Sequence, residues 1–133
     1  MAVSVGAVVC TILIHTVVVV AIVNLVRLEK RGGRMGRSLW FDIAIVGRAI
    51  ALALVADLLE IAVRAVLFVM CGEFADFGTA YYHSAVNYTT LGYGDIVPVT
   101  PIARMVAALE AVAGVLYIAI TVARLVSGYR GGK

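Results

Sequence analysis

The sequence predicts an all-α integral membrane protein with three transmembrane helices and one re-entrant segment between the second and third. Composition is the first observation behind that class. Of 133 residues, 63% are hydrophobic and 14% charged, whereas a soluble domain carries roughly 45–50% and 25%. The mean hydropathy is +1.06. So few polar side chains cannot cover a water-facing surface, and lipid must act as much of the solvent. At this length a few membrane helices fit, with no room for a soluble catalytic domain. An enzyme is not expected.

Segment length is the second observation. Apolar runs extend from about Val3 to Val26, Phe41 to Met70 and Pro101 to Ser127. A span needs about 20 apolar residues at 1.5 Å each, so each run can cross, and the last two can tilt or project. The first run begins Met1-Ala2-Val3-Ser4, with no basic residue, and is too long for a signal-peptide core. It is expected to be a retained helix. The corresponding divisions are an extra helix at 1–28, a basic linker at 29–39, a membrane domain at 40–128 and a tail at 129–133. Within the domain, helices are expected over 40–71, 76–89 and 101–128.

Charge placement is the third observation. Arg27, Lys30, Arg31, Arg34 and Arg37 crowd the linker, while Arg124, Arg130 and Lys133 close the chain. Between the second and third runs stand Glu73, Asp76 and Asp95, with only Arg104 just beyond. Basic residues favour the cytoplasmic side. Linker and C-terminus are therefore expected inside, and the N-terminus outside, in a multi-pass protein of the cell membrane. Trp40 sits where an inner interfacial aromatic would. A linker flanked by membrane helices is not expected to bind nucleic acid.

Residues 71–100 are too polar and too punctuated to span. Irregular backbone at membrane depth persists only where protein buries it or where it lines a watery cavity, so function is sought there. Asp76 can cap a short helix from Phe77 to about Thr89. Then come Thr89-Thr90-Leu91-Gly92-Tyr93-Gly94-Asp95 and Ile96-Val97-Pro98. Glycine takes left-handed backbone angles without steric cost, so Gly92 and Gly94 allow an extended segment to turn successive carbonyls to one side.

In these residues the chain resembles the prokaryotic potassium-channel pore family. The match runs on through Val99, Thr100 and Arg104 to Gly114, about half of the chain. A lone Gly-Tyr-Gly would be weak evidence. The full Thr-Thr-Leu-Gly-Tyr-Gly-Asp run between a short helix and a membrane span is strong. The resemblance implies a homotetramer in the lipid bilayer, with residues 90–94 as a selectivity filter and K+ as the permeant ion. It implies that the carbonyls of Thr90, Leu91, Gly92 and Tyr93, with the Thr90 hydroxyl, line the ion sites. Thr89, Asp95 and Val86 would support the filter. Gly114 matches the family's gating-hinge glycine, with close packing on the short helix as an equal reading. Val115, Ile118, Val122 and Val126 fall near helical spacing and would line the pore.

The pattern also departs from the family. Leu91 stands for the commoner Val, Val86 for an acidic residue of some relatives, Tyr82 and His83 for frequent Trp, and Asn87 for a frequent Thr. These changes bear on filter stability and inactivation, not on ion identity. No voltage-sensing Arg repeat, nucleotide-binding domain or calcium site is visible. One loop without an internal repeat favours a channel over a potassium transporter subunit. A non-conducting interaction subunit and a weakly selective cation channel are the alternatives.

Charges within membrane helices are costly and face protein or water. Asp57, Glu60 and Arg64 share one stripe of the second helix. Depth counted along the helices suggests Arg64 with Glu110 or Glu60, and His15 with Asp57. Equally, Glu60 and Arg64 can satisfy each other while His15 bonds a carbonyl. Cys10 and Cys71 both fall near the outer side, reduced by default, with a bridge possible.

Overall fold

A computed structural model describes the backbone of residues 2–32 and 38–130, and their side chains except at 2–8, 30, 125 and 128–130. Arg34, Arg37 and Lys133, assigned above to the basic linker and tail, lie outside the described residues. Four helices follow in order: α1 (Ala2–Arg31), α2 (Leu39–Met70), α3 (Phe77–Tyr88) and α4 (Pro101–Arg130). The described residues form no other regular element.

Two helices are long and apolar enough to cross a membrane, with spans Val9–Glu29 and Pro101–Arg124. The long helix α2 differs from them by carrying Asp42, Arg48, Asp57, Glu60 and Arg64. Large apolar side chains such as Leu13, Trp40, Ile102 and Leu109 are exposed along the helices. In water such a surface would aggregate; it suits lipid or further protein.

The short helix α3 sits between α2 and α4 because small residues let it approach. Ala65 and Phe68 of α2, Ala80 of α3, and Ala103 and Ala107 of α4 form the buried core. The start of α3 is set locally. Asp76 Oδ1 accepts a hydrogen bond from the Thr79 amide at 2.9 Å and Oδ2 accepts one from the Thr79 hydroxyl at 2.6 Å. Such a cap is worth about 1 kcal/mol, and these bonds hold the Asp76 carboxyl below its ordinary pKa.

The start of α4 is set from a distance. Glu73 accepts from the amides of Val99 at 2.9 Å and Thr100 at 3.3 Å, and from the Thr100 hydroxyl. Thr100 Oγ1 in turn accepts from the Ala103 amide at 3.3 Å. Glu73 thereby ties the turn after α2 to the first turn of α4. Its carboxyl is held below the ordinary range, chiefly by the Thr100 hydroxyl.

One contact fixes how deeply α3 points into the molecule. Gly114 of α4 lies against the Tyr88 carbonyl, so close that a Cβ there would overlap the carbonyl oxygen and lie 3.0 Å from its carbon. Close packing thus accounts for a mid-helix glycine that otherwise costs about 1 kcal/mol relative to Ala. Gly47 in α2 offers the contrast, because a Cβ there would meet nothing within 4 Å. We predict that Gly114→Ala destabilises the fold by about 1–3 kcal/mol through overpacking, whereas Gly47→Ala is neutral or stabilising by up to about 1 kcal/mol. Thermal denaturation in detergent checks this, and equal midpoints for the two variants would remove the packing role of Gly114.

Candidate functional site

The chain leaves α3 through Thr89, whose backbone is still helical at φ −80° and ψ 0°. Its hydroxyl donates to the Ala85 carbonyl at 2.7 Å. Beyond it, φ is 61° at Thr90, 60° at Gly92 and 72° at Gly94. Every second residue is therefore left-handed, and Leu91 and Tyr93 between them are not. In an ordinary strand successive peptide units face opposite ways. Alternating handedness cancels that reversal, so a row of carbonyl oxygens can share one side.

Gly92 and Gly94 accept this without penalty, but Thr90 does not. A β-branched residue with positive φ is a true outlier, costing roughly 1–2 kcal/mol. Its backbone is held by the Thr90 amide donating to the Asn87 carbonyl at 3.0 Å, and the next turn by the Gly92 amide donating to the Val86 carbonyl at 3.3 Å. Val86 thus supports the loop through its main chain. Strain of this kind collects at functional sites. Residues 89–95 are exposed, with Leu91 at 59% and Tyr93 at 66%, so one chain leaves their face open.

The segment after the loop is held at Asp95, Ile96, Pro98, Val99 and Thr100. The Tyr82 hydroxyl donates to Asp95 Oδ2 at 2.8 Å, and the Ile96 amide donates to Asp95 Oδ1 at 3.0 Å. His83 Nδ1 lies 2.9 Å from the Ile96 carbonyl, which can only accept, so the proton sits on Nδ1. His83 is buried, edge-on to Phe68 at 5.3 Å. The Arg104 Nε donates to the Pro98 carbonyl at 2.9 Å, and Glu73 holds Val99 and Thr100. Tyr82 and His83 of α3 thus both reach the end of the loop farthest from Thr89.

Below the loop lies a buried polar cluster centred on Tyr88, which is 1% exposed. Its hydroxyl donates to Asp57 Oδ1 at 2.9 Å and lies 3.4 Å from Glu60 Oε2. The Arg64 guanidinium stands 5.5 Å from its ring centre, a cation–π arrangement. Asn87 donates to the Ala107 carbonyl and lies 3.4 Å from Glu110 Oε2. His15 of α1 approaches Glu60 Oε1 at 3.4 Å and stacks on Tyr117 of α4 at 4.0 Å.

The carboxylate in contact with His15 is Glu60, at 3.4 Å, and not Asp57, which accepts from the Tyr88 phenol. Asp57 nonetheless lies close enough for its charge to act on His15. Among the described residues Arg64 makes no ion pair within 4.0 Å to Glu60 or Glu110; it lies over the Tyr88 ring. Tyr88 itself was missed from sequence. An aromatic residue ending the short helix, with an unexplained glycine in the following span, was the available signal.

Val115, Ile118, Val122 and Val126 are all exposed on α4 in the single chain. Cys10 and Cys71 are free.

Residues 58–129, more than half of the chain, match the model of a family described as Ion channel. That stretch takes in the end of α2, α3, the loop and nearly all of α4. Over 57 residues the chain is 42% identical to potassium voltage-gated channel subfamily A member 2 of Oncorhynchus mykiss, covering 43% of this chain and 12% of that protein. The Mus musculus protein of the same name is also 42% identical over 57 residues, 43% of this chain and 11% of its own length. Subfamily A member 10 of Homo sapiens is 40% identical over 57 residues, with 43% and 11% covered. The chain spans about a tenth of the length of these curated relatives. No solved structure matches it.

Proposed function

The chain belongs to the ion channel family, and from that premise we propose that it is one subunit of a homotetrameric, potassium-selective channel. Ion channels conduct and are not enzymes, so the mechanism is one of geometry and electrostatics. The observation that carries the reading is the left-handed backbone at Thr90, Gly92 and Gly94, within the Thr-Thr-Leu-Gly-Tyr-Gly-Asp run. The named potassium channels among its relatives agree with it.

In this mechanism each chain contributes one quarter of every oxygen ring. The carbonyls of Thr90, Leu91, Gly92 and Tyr93 replace the water around a dehydrated K+, and the Thr90 hydroxyl closes the lowest site. Tyr82, His83 and Arg104 hold the outer end, while α3 directs its partly negative C-terminus toward the cavity below. The stripe from Val115 to Val126 lines that cavity, and neighbouring copies cover Leu91 and Tyr93. A sodium ion, being smaller, gains less from rings held at this width.

The membrane reading places three spans per chain, with α2 as the third spanning helix despite its charges. Asp57, Glu60 and Arg64 face Tyr88 and His15 there instead of lipid. The basic clusters put the linker and C-terminus in the cytoplasm and the N-terminus outside a plasma membrane. Small epitope tags at the two ends of the chain are expected to label from opposite sides of sealed cells, the N-terminal one from outside. Labelling of both from one side would leave an even number of spans.

Selectivity is tested by reversal potentials in a planar bilayer when sodium replaces potassium on one side. Wild type is expected to shift strongly toward the potassium equilibrium value, and Tyr93→Asp to lose that preference. Gly92→Ala is expected to reduce conduction although space is open, the nearest atom to a Cβ being the Thr90 carbonyl oxygen at 3.9 Å. Its cost is the left-handed backbone, about 1–2 kcal/mol in each of four copies. A wild-type protein that reverses identically in the two salts would refute potassium selectivity.

A further inference from the structure

A groove of about 480 Å³ runs between α1 and α4, apart from the filter and its supports. Its walls are apolar, with Val19, Val20 and Val23 on α1 and Ile120 on α4. One end carries Arg27 and Arg124 together with Asn24, and the other reaches the stacked rings of His15 and Tyr117. No acidic side chain is among the lining residues. Glu29, two positions from Arg27, approaches Arg48 at 3.6 Å. Two guanidinium groups therefore share the mouth of an apolar groove without a carboxylate in it.

The position of the groove decides what can enter it. At about 100° per residue, Arg124 lies roughly 200° around α4 from Val122, and Ile120 lies roughly 200° from Ile118. The groove is thus on the far side of α4 from the stripe assigned to the pore, where an assembled channel meets the bilayer. Ile12 to Arg27 covers about 22 Å of helix, against roughly 15 Å for the hydrocarbon of one leaflet. A chain running inward from the arginines can stay in the groove to the midplane.

We propose that this groove binds an anionic glycerophospholipid of the cytoplasmic leaflet. The phosphate sits between Arg27 and Arg124, whose planar guanidinium groups suit its oxygens. Asn24 donates to the headgroup, and one acyl chain lies along the valines. Such a lipid would join the extra helix α1 to the inner helix α4. The inference rests on the pore assembly proposed above for placing the groove against the bilayer, and on the proposed orientation for the choice of leaflet; potassium selectivity is not assumed.

Native mass spectrometry of the purified protein tests this, with phosphatidylglycerol and phosphatidylcholine of identical acyl chains supplied in equal amounts. Wild type is expected to retain phosphatidylglycerol preferentially. An arginine near an anionic lipid contributes about a factor of five, so R27Q/R124Q is expected to lose about twenty-five-fold of that preference. R27K/R124K keeps the charge and most of the preference, and R31Q, outside the groove, keeps all of it. Val20→Trp fills the groove and is expected to reduce retention of both lipids, which covers the case of a misfolded double variant. Glycerol phosphate, having the headgroup without the chains, is expected not to compete. Equal retention of the two lipids by wild type, preference unchanged in R27Q/R124Q, an equal loss in R31Q, unchanged retention in Val20→Trp, or displacement by glycerol phosphate would each overturn the proposal.

Discussion

The backbone of Tyr88 against Gly114 sets the position of everything that follows it in the chain. A short helix can end near the middle of a membrane protein only if its last carbonyls have somewhere to go and its depth is fixed. Gly114 supplies the fit, because no other residue leaves room for the Tyr88 carbonyl. Once Tyr88 is seated, Thr89 ends the helix and Thr90 begins the left-handed alternation at that level. The same residue turns its phenol toward Asp57 and Glu60 and lies under Arg64. One tyrosine therefore joins the loop to α2 and α4.

That arrangement gives the charges of α2 partners within the chain, which the proposed span through α2 requires. A lone ion in hydrocarbon costs at least about 2.5–3.5 kcal/mol, and breaking a buried ionic group costs about 3–5 kcal/mol. Asp57, Glu60 and Arg64 meet a phenol, an imidazole and an aromatic face instead of lipid. His15 extends the cluster to α1, and its stack on Tyr117 ties α1 to α4 as well. The extra helix is thus joined to the core by polar contacts, while large apolar side chains such as Leu13 and Val17 are exposed along it. Strain at Thr90 is opposed by hydrogen bonds behind it and by anchors at residues 95–100 beyond it.

Local chemistry was legible in the sequence, and distant partnerships were not. The helical class followed from composition, and the Asp76 cap followed from a rule that acts within three residues. Pro101 opens α4 for a similarly local reason. Gly92 and Gly94 announced left-handed backbone, but Thr90 did not, since β-branched residues are the least expected there. Glu73 reads as an outward-facing charge until Thr100, 27 positions on, folds back to it. Counting depth along two helices cannot separate Asp57 from Glu60, one turn apart; the contact of His15 goes to Glu60, with Asp57 nearby. Gly114 left hinging and close packing equally open in the sequence, and nothing there pointed to Tyr88 as what it packs against.

The central claim is that four such loops face one axis and hold potassium ions between their carbonyls. Cryo-electron microscopy of the protein purified in potassium tests it most directly. The expected result is four copies around a single axis, with ion density on that axis at the level of residues 90–93 and a changed profile in sodium. Assemblies in which Gly92 and Gly94 face lipid, or in which the axis holds no loop, would contradict it.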